Sequence, residues 1–221
     1  KHFRISIAHV AAALAAELPF QAEGVSDVTP NQLKTWADVD AYTAKRIGGD
    51  LVGLPDITVS IMVPPPTSGT RDAMGELFMK HGWKKLGLNG SGYKKLREDG
   101  AAIEVGENDS LIIEKLVADQ NMFGVFGYSF FDQNRDKVQA AVLDGVELNF
   151  ENVASYKYPA ARPLFFYVKK AHVGVIPGLK EFINEFVSEK AMGLDGYLFP
   201  AGLVPLSEDD FAKQVGARDA L

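Results

Sequence analysis

The chain has 221 residues, with 23 Lys and Arg against 29 Asp and Glu, so its formal net charge is −6. The absence of cysteine excludes a disulfide scaffold, a thiolate zinc site and a cysteine nucleophile. The acidic balance argues against a general nucleic-acid binder, and no apolar run reaches the roughly 20 residues that span a bilayer. A chain of this length suits one large domain or two small ones, with a substantial core.

The first predicted element is an amphipathic helix over residues 5–18. The start of the chain has features of a secretory signal, because basic residues precede an alanine-rich run. His9 and Glu17 interrupt that run, however, whereas a signal peptide needs an unbroken apolar core. We therefore expect a helix of the mature protein, which ends at Pro19. Its apolar face is formed at helical spacing by Ile7, Val10, Leu14 and Leu18.

Helices and strands alternate along the rest of the chain. A short helix with Trp36 is predicted over 33–39, and β-branched residues predict a strand over 57–63. Three prolines end that strand, and a helix is predicted over 68–81. The remaining predicted strands cover 101–105, 123–128 and 164–168, and the remaining predicted helices cover 109–118, 136–143, 179–190 and 208–215. This alternation predicts an α/β fold with a mainly parallel sheet.

The junction after the three prolines carries the clearest chemical signal. Ser68 or Thr67 is placed to cap the helix. We expect the N–H groups of Gly69, Thr70 and Arg71 to lack intrahelical partners, and the helix macrodipole adds about half a positive charge at the same point. Gly69 has no side chain, so a ligand can approach the backbone closely. These features predict an oxyanion site.

The side chains at this junction favour the same ligand. Ser68 and Thr70 supply hydroxyl donors, and Arg71 supplies a planar fork that matches two oxygens of a tetrahedral anion. Asp72 is expected to pair with Arg71 and orient it. A simpler interpretation, a well-capped helix with a surface arginine, stays open at this point. So does a phosphoryl- or acyl-transfer enzyme using the same anion site, which requires a base or a metal beside the anion.

The run from Pro64 to Ala73, Pro-Pro-Pro-Thr-Ser-Gly-Thr-Arg-Asp-Ala, resembles the phosphate-site motif of the periplasmic phosphate-binding proteins of phosphate ABC transporters. Further segments resemble the same family in the same order, at 34–39, 100–109, 126–130, 158–168, 196–198 and 202–206. The resemblance implies a periplasmic-binding-protein-like (type II) architecture with two α/β lobes. Residues 1–163 would form the second lobe, and residues 164–221 would return to the first.

The resemblance also implies a function. Such a protein is not an enzyme and needs no cofactor or metal; it captures inorganic phosphate in the periplasm for an ABC transporter membrane permease. It has no nucleic-acid partner and is monomeric when intact. The phosphate ligands carried over from the family are Ser68, Gly69, Thr70 and Arg71, with Thr67 and Asp72 in support.

Family members begin with a further segment of roughly a hundred residues. It carries the first lobe's phosphate contacts, including the carboxylate that accepts the phosphate proton. The resemblance therefore implies that the first lobe is incomplete in this chain, and weak phosphate binding by the chain alone is expected. Another oxyanion such as sulfate stays open, because it needs no proton acceptor.

Other motifs are weaker. The glycine-rich run 87–94 lacks the Gly-Lys-Ser/Thr of a phosphate loop. The basic residues from Lys80 to Arg97 are interpreted as a solvated face, and the four histidines lack metal-type spacing. Glu107 and Asp109 could form a carboxylate pair, although Asn108 and Asp109 are expected to cap the next helix.

Overall fold

The computed structural model describes residues 3–20, 28–106 and 108–221. The chain divides into two compact units, Lys1–Leu148 and Asn149–Leu221. The predicted lobe boundary after residue 163 belongs to the complete two-lobed fold and stays a prediction. Part of the predicted polar loop after Pro19, residues 21–27, lies outside the described residues.

The first unit contains all the strands found among the described residues. They are β1 (Arg4–Ile5), β2 (Glu17–Leu18), β3 (Thr29–Pro30), β4 (Ile61–Val63), β5 (Ala102–Glu104), β6 (Phe123–Gly124) and β7 (Val142–Leu143). Its α-helices are α1 (Ile7–Leu14), α2 (Trp36–Ile47), α3 (Gly69–Met74), α4 (His81–Lys85), α5 (Asp109–Ala118) and α6 (Tyr128–Gln133). A π-helical segment (Gly75–Lys80) joins α3 to α4 without a break.

The sheet that matters for function has three parallel strands in the order β5-β4-β6. Central Met62 lies opposite Ile103 on one side and Gly124 on the other. Elsewhere β1 pairs in parallel with β7, and β2 pairs antiparallel with β3. The predicted α/β fold with a mainly parallel sheet is confirmed.

One face of this sheet is covered by α5. Met62, Val105 and Ile112 form a buried cluster, and partly buried side chains pack around it from Ile103, Leu116, Met122 and Phe126. Because side chains alternate along a strand, the neighbours of Met62 in β4 point to the opposite face. All eight residues of α1 are buried, and α1 packs against α2, α4 and the π-helical segment.

Local sequence explains where these helices begin and end. Thr35 caps α2 by accepting a hydrogen bond from the Asp38 N–H, and the Asp38 carboxylate accepts one from the Thr35 N–H. Gly48 ends α2 in the left-handed conformation, with φ of 67°, which glycine adopts without the strain of a Cβ.

Two predicted elements are wrong, and the predicted amphipathic helix over 5–18 is shorter and buried all round: α1 ends at Leu14, and Glu17–Leu18 form β2. Residues 136–143 do not form a helix; instead α6 comes earlier, and Val142–Leu143 form β7, whose partner is β1 at the start of the chain. Residues 164–168 form no strand, because no described strand pairs with them. The predicted helix over 179–190 is divided at Val187, where φ is −92° and ψ is 51°.

The second unit consists of helices and irregular chain. Its α-helices are α7 (Phe150–Ala154), α8 (Leu179–Phe186), α9 (Glu189–Met192) and α10 (Glu208–Asp219). Ser188 caps α9 and Ser207 caps α10 through their hydroxyl oxygens. Across the described ranges of both units, no helix is both long and apolar enough to cross a membrane.

Candidate functional site

The candidate site lies at the edge of the sheet where the three parallel strands end. Helix α3 follows β4, α5 follows β5 and α6 follows β6. Parallel crossovers are almost always right-handed, so the strand order β5-β4-β6 predicts that α3 and α5 lie on opposite faces of the sheet. The crevice between the ends of β4 and β5 is therefore a topological switch point, the usual ligand position in an open α/β sheet.

Strand-like hydrogen bonds continue past the strand ends and fix the loops around this crevice. The Val105 N–H donates to the Val63 carbonyl oxygen at 3.0 Å, and the Val125 N–H donates to the Met62 carbonyl oxygen at 3.0 Å. The residues that follow β5 and β6 are thus held beside the end of β4, from which the proline-rich segment leads to α3.

Ser68 is the N-cap of α3, as the sequence predicts. Its hydroxyl oxygen accepts the Thr70 N–H at 3.2 Å, and its carbonyl oxygen accepts the Arg71 N–H at 3.0 Å and the Asp72 N–H at 3.3 Å. The expectation that the Arg71 N–H lacks an intrahelical partner is wrong, because the Ser68 carbonyl oxygen accepts it. The Thr70 N–H is bonded to the capping hydroxyl and not to a carbonyl group of the helix. Gly69 also has an interaction partner, as does Thr67.

The start of α3 is nevertheless accessible from solvent. Gly69 is exposed, and Ser68, Thr70 and Arg71 are half-buried. A Cβ built on Gly69 would meet no other atom within 4 Å. An anion can therefore reach the backbone here without moving a neighbouring segment.

Arg71 is anchored to the end of the strand rather than to Asp72. Its Nη1 donates to the Pro64 carbonyl oxygen at 2.7 Å. The expected Arg71–Asp72 ion pair is absent among the described residues, since adjacent positions on a helix point in different directions. The backbone bond orients the guanidinium, and no described carboxylate neutralises its charge.

Asp109 adds a carboxyl group at the same edge of the sheet. Asn108 caps α5 through its Oδ1, which accepts the Ser110 N–H at 3.0 Å, and the Gly127 N–H donates to Asp109 Oδ2 at 3.4 Å. Burial raises the pKa of Asp109, and the bond from Gly127 opposes that rise. The sequence leaves two roles open for Asp109, a carboxylate pair with Glu107 or a share in capping α5. In the structure Asn108 is the cap, and Asp109 is the first residue of α5, five residues after the end of β5. Glu107 lies outside the described residues.

A Ser–His–Asp chain exists, but it is structural. His9 Nδ1 lies 2.6 Å from Ser6 Oγ, and His9 Nε2 lies 3.3 Å from Asp40 Oδ1. The Ser6 N–H also donates to His9 Nδ1 at 3.1 Å, and Ser6 Oγ accepts the His9 N–H as the cap of α1. Because His9 and Asp40 are buried, a substrate cannot reach the imidazole that a nucleophilic serine would need.

No described group of three His, Asp or Glu side chains could hold a metal ion. Hydrogen bonds from a histidine to Ser68 are likewise absent in the described part of the chain. The arrangement at α3 offers donors and positive charge, which suit binding of an anion.

Comparisons with known proteins agree with this architecture. The family model described as "PBP superfamily domain" matches residues 2–190. Among the curated proteins, a phosphate-binding protein PstS of Bacillus subtilis is 28% identical over 197 residues, which cover 86% of this chain and 56% of that protein. The corresponding protein of Staphylococcus haemolyticus is 24% identical over 205 residues, with 90% and 57% covered.

Two solved structures show the same fold. A possible phosphate binding protein from Planctomyces limnophilus aligns with a TM-score of 0.62 at 20% identity, covering 98% of this chain and 64% of that one. PstS from Borrelia burgdorferi aligns with a TM-score of 0.59 at 16% identity, covering 94% and 65%. The chain thus spans a little over half the length of these curated relatives.

Proposed function

The chain belongs to the PBP superfamily, and from that premise we propose that it forms the anion-binding part of a protein that captures inorganic phosphate for an ABC transporter. The names of its relatives support phosphate as the ligand. We further propose that the protein lies in the periplasm, outside the cytoplasmic membrane. There it contacts a membrane permease transiently, and it has no enzymatic activity. Sulfate is the alternative ligand to be tested against phosphate.

One observation carries the proposal: Arg71 is fixed beside the start of α3 and has no described carboxylate partner. Its bond to Pro64 leaves the rest of the guanidinium fork to bind oxygen atoms of an anion. The exposed backbone at Gly69 and the hydroxyl groups of Ser68 and Thr70 lie at the same helix start. A tetrahedral anion matches these donors in charge and in number.

Binding requires a change of partner at Ser68. Its Oγ accepts the Thr70 N–H in the present structure, so an anion would replace the hydroxyl as the acceptor for Thr70. Rotation of the side chain would then let the Ser68 hydroxyl donate to the same anion. Losing the cap costs about 1 kcal/mol, and an anion at the positive end of the helix compensates for it.

The contacts available in this chain predict weak binding. A charge-assisted hydrogen bond contributes about 1.5–3 kcal/mol, and association costs at least about 4 kcal/mol. Micromolar affinity needs about 8 kcal/mol net. Three or four such contacts, open to water, leave the chain alone near the millimolar range, and closure of a second lobe would strengthen each contact by excluding water.

Composition supports the proposed division of the chain into two parts. Residues 1–163 would form the second lobe, and residues 164–221 would return to the first lobe. Residues 164–168 are five successive apolar residues. Such a run is typical of a strand buried on both faces of a parallel sheet.

Calorimetry or NMR titration with phosphate tests the proposed site. We expect Arg71→Ala to lower the affinity at least about tenfold, which corresponds to about 1.4 kcal/mol, because the substitution removes the anchored cation. Arg46→Ala, at the end of α2, is the matched control and should leave the affinity unchanged. Unchanged phosphate binding in Arg71→Ala would remove Arg71 from the ligands, and submicromolar binding by the chain alone would contradict the one-lobe argument.

A further inference from the structure

The loop that follows α4 contains the single Asn–Gly pair of the chain, Asn89–Gly90. In such a pair the peptide nitrogen of the glycine can attack the side-chain carbonyl carbon of the asparagine, because neighbouring residues hold the two atoms close together. Glycine favours this attack, since it has no Cβ to obstruct it. Asp–Gly pairs can close the same ring, and the chain has three of them, at 99–100, 144–145 and 195–196.

The structure engages all three Asp–Gly pairs in hydrogen bonds that oppose ring closure. Both oxygens of the Asp99 carboxylate accept hydrogen bonds from Arg97. The Asp144 carboxylate binds Lys85 Nζ at 2.9 Å. At the third pair the glycine nitrogen is engaged, because the Gly196 N–H donates to a main-chain carbonyl oxygen at 2.9 Å. Each pair must therefore break a native contact before its side chain and its peptide nitrogen can react.

Asn89–Gly90 has no such protection. Both residues are exposed, and among the described residues neither the Asn89 side chain nor the Gly90 N–H has a hydrogen-bond partner. Gly90 lies at φ 77°, and a Cβ built on it would meet no atom within 4 Å. The two atoms that must join are thus free of other partners in the folded chain.

Trp83 favours the attack by stabilising the reactive form of the nitrogen. Its indole N–H donates to the Asn89 carbonyl oxygen at 3.0 Å. This oxygen and the Gly90 nitrogen belong to one peptide group, so the oxygen takes up negative charge when the nitrogen loses its proton. A donor fixed at the atom where charge develops stabilises that charge. Trp83 is fixed, because only 4% of it is exposed and the backbone of Gly92 packs on its ring.

From these contacts we propose that Asn89–Gly90 is a site of spontaneous covalent modification in the folded protein. A base in the solvent removes the Gly90 N–H proton, and the nitrogen forms a bond with Asn89 Cγ. The bond from Cγ to the side-chain nitrogen breaks, and this nitrogen takes up a proton and leaves as ammonia, which produces a cyclic imide. Water then opens the imide at either carbonyl carbon and yields aspartate or isoaspartate, without any oxidation or reduction.

The two products differ in what they offer to Trp83. The aspartate product keeps the peptide carbonyl that accepts the indole N–H. In the isoaspartate product the main chain runs through the former side chain, so this carbonyl becomes a free α-carboxylate and the loop gains one methylene group. We therefore expect isoaspartate formation to shift the indole N–H NMR signal of Trp83. Trp36, the other tryptophan of the chain, is the internal reference.

Incubation of the folded chain at pH 8.5 and at pH 6 tests the proposal, with tryptic digestion and mass spectrometry of the peptide 86–94 as the readout. We expect conversion of Asn89 to be at least about tenfold faster at pH 8.5, because the deprotonated nitrogen is the nucleophile. At pH 8.5 its rate should lie within about threefold of the rate in the chain unfolded in guanidinium chloride. The Asp–Gly pairs should isomerise at least about tenfold more slowly in the folded chain than in the unfolded one.

Two variants identify the reacting side chain. Asn89→Gln should show no conversion in this peptide, because the longer side chain would have to close a six-membered ring, whereas Asn121→Gln, at another exposed asparagine, should leave the rate unchanged. Both should bind phosphate as the parent chain does, since Trp83 lies fourteen residues, roughly 20 Å, along the helix from Gly69.

Three results would overturn the proposal. The first is conversion of Asn89 that is more than threefold slower in the folded chain than in the unfolded one. The second is isomerisation of an Asp–Gly pair at equal rates in the two states, because native contacts would then not decide which pair reacts. The third is accumulation of isoaspartate without any shift of the Trp83 signal. Asn89→Asp, which reproduces the aspartate product, is the control for the NMR measurement and should shift that signal little.

Discussion

His9 is a buried histidine that the surrounding structure holds in its neutral form. The Ser6 N–H donates to Nδ1, so the ring proton lies on Nε2 and faces Asp40. Burial lowers the pKa of His9 below its usual value, although Asp40 and Asp144 act in the opposite direction. A proton on Nδ1 would remove the acceptor of the Ser6 N–H. Protonation of His9 therefore destabilises the folded state.

The sign of the pH effect follows from this lowered pKa. Below about pH 6.5 the unfolded chain binds a proton at this histidine while the folded chain does not. The contribution of His9 to stability is therefore complete above that pH and decreases as the pH falls toward the folded-state pKa. Each pH unit in this window costs up to about 1.4 kcal/mol.

Urea unfolding at pH 7.5 and pH 5.5 measures this effect. We expect the midpoint to be lower at pH 5.5 in the parent chain, and the difference between the two pH values to be smaller in His9→Asn, which keeps a polar side chain without a titrating ring. The same dependence on pH in both proteins would show that His9 is not the titrating group.

Asp40 holds the loop at 52–54 against α2. Its two oxygens accept the N–H groups of Val52, Gly53 and Leu54 at 2.7–3.0 Å. Burial raises the pKa of Asp40, but these bonds and the one from His9 outweigh it, so the net pKa lies below the usual value. This carboxylate therefore stabilises the fold above pH 4 and loses its effect only as the pH falls through the lowered pKa.

Helices α1 and α4 approach each other closely at Gly82, and among the described helices of the first unit this is the most extensive contact. A Cβ on Gly82 would lie 2.2 Å from the Ile7 carbonyl oxygen and 2.6 Å from the Ala11 Cβ. The alanine-rich sequence of α1 and the glycine in α4 together allow this distance, because neither helix presents a bulky side chain to the other.

Two alanine substitutions in the same helical run should have opposite effects. Gly82→Ala forces two backbones apart and should destabilise the chain by about 1–3 kcal/mol. Gly75 has helical backbone angles, φ −57° and ψ −43°, and a Cβ built there would meet no atom within 4 Å. Gly75→Ala should therefore stabilise the helix by about 0.5–1 kcal/mol.

Thermal or urea unfolding of both variants provides the comparison. If Gly82→Ala were as stable as the parent chain, the close contact between α1 and α4 would be wrong. If Gly75→Ala were destabilising, the π-helical segment would need the glycine for a reason other than space.

The second unit exposes much more apolar surface than a small unit normally leaves in water. Leu164, Phe165 and Tyr167 are 74%, 72% and 91% exposed. Contiguous apolar residues without a partner strand favour association. We expect the chain to associate with increasing protein concentration in light-scattering measurements.

A single substitution in this segment tests the source of that association. Tyr167→Lys replaces an exposed ring, so it costs no core packing, and it should reduce the association. Asn184→Lys, an exposed position on α8, adds the same charge elsewhere on the unit and serves as the control. Equal association in all three proteins would exclude the segment 164–168 as its cause.

Several features could be predicted from the sequence because their causes are local. The cap at Ser68 depends on residues within one turn, and helix α5 was predicted over its observed range because its apolar spacing and its cap agree. The α/β class also follows from local alternation. The family likeness was visible in motifs that occur in order along the chain.

Only the tertiary structure decided the rest, because the deciding contacts join residues distant in sequence. Val142 and Leu143 are strand residues because β1, more than a hundred residues earlier, supplies their hydrogen bonds. Arg71 turns to the Pro64 carbonyl oxygen rather than to Asp72, since the end of β4 lies within its reach. Local periodicity carries no information about such partners, which exist only once the chain has folded.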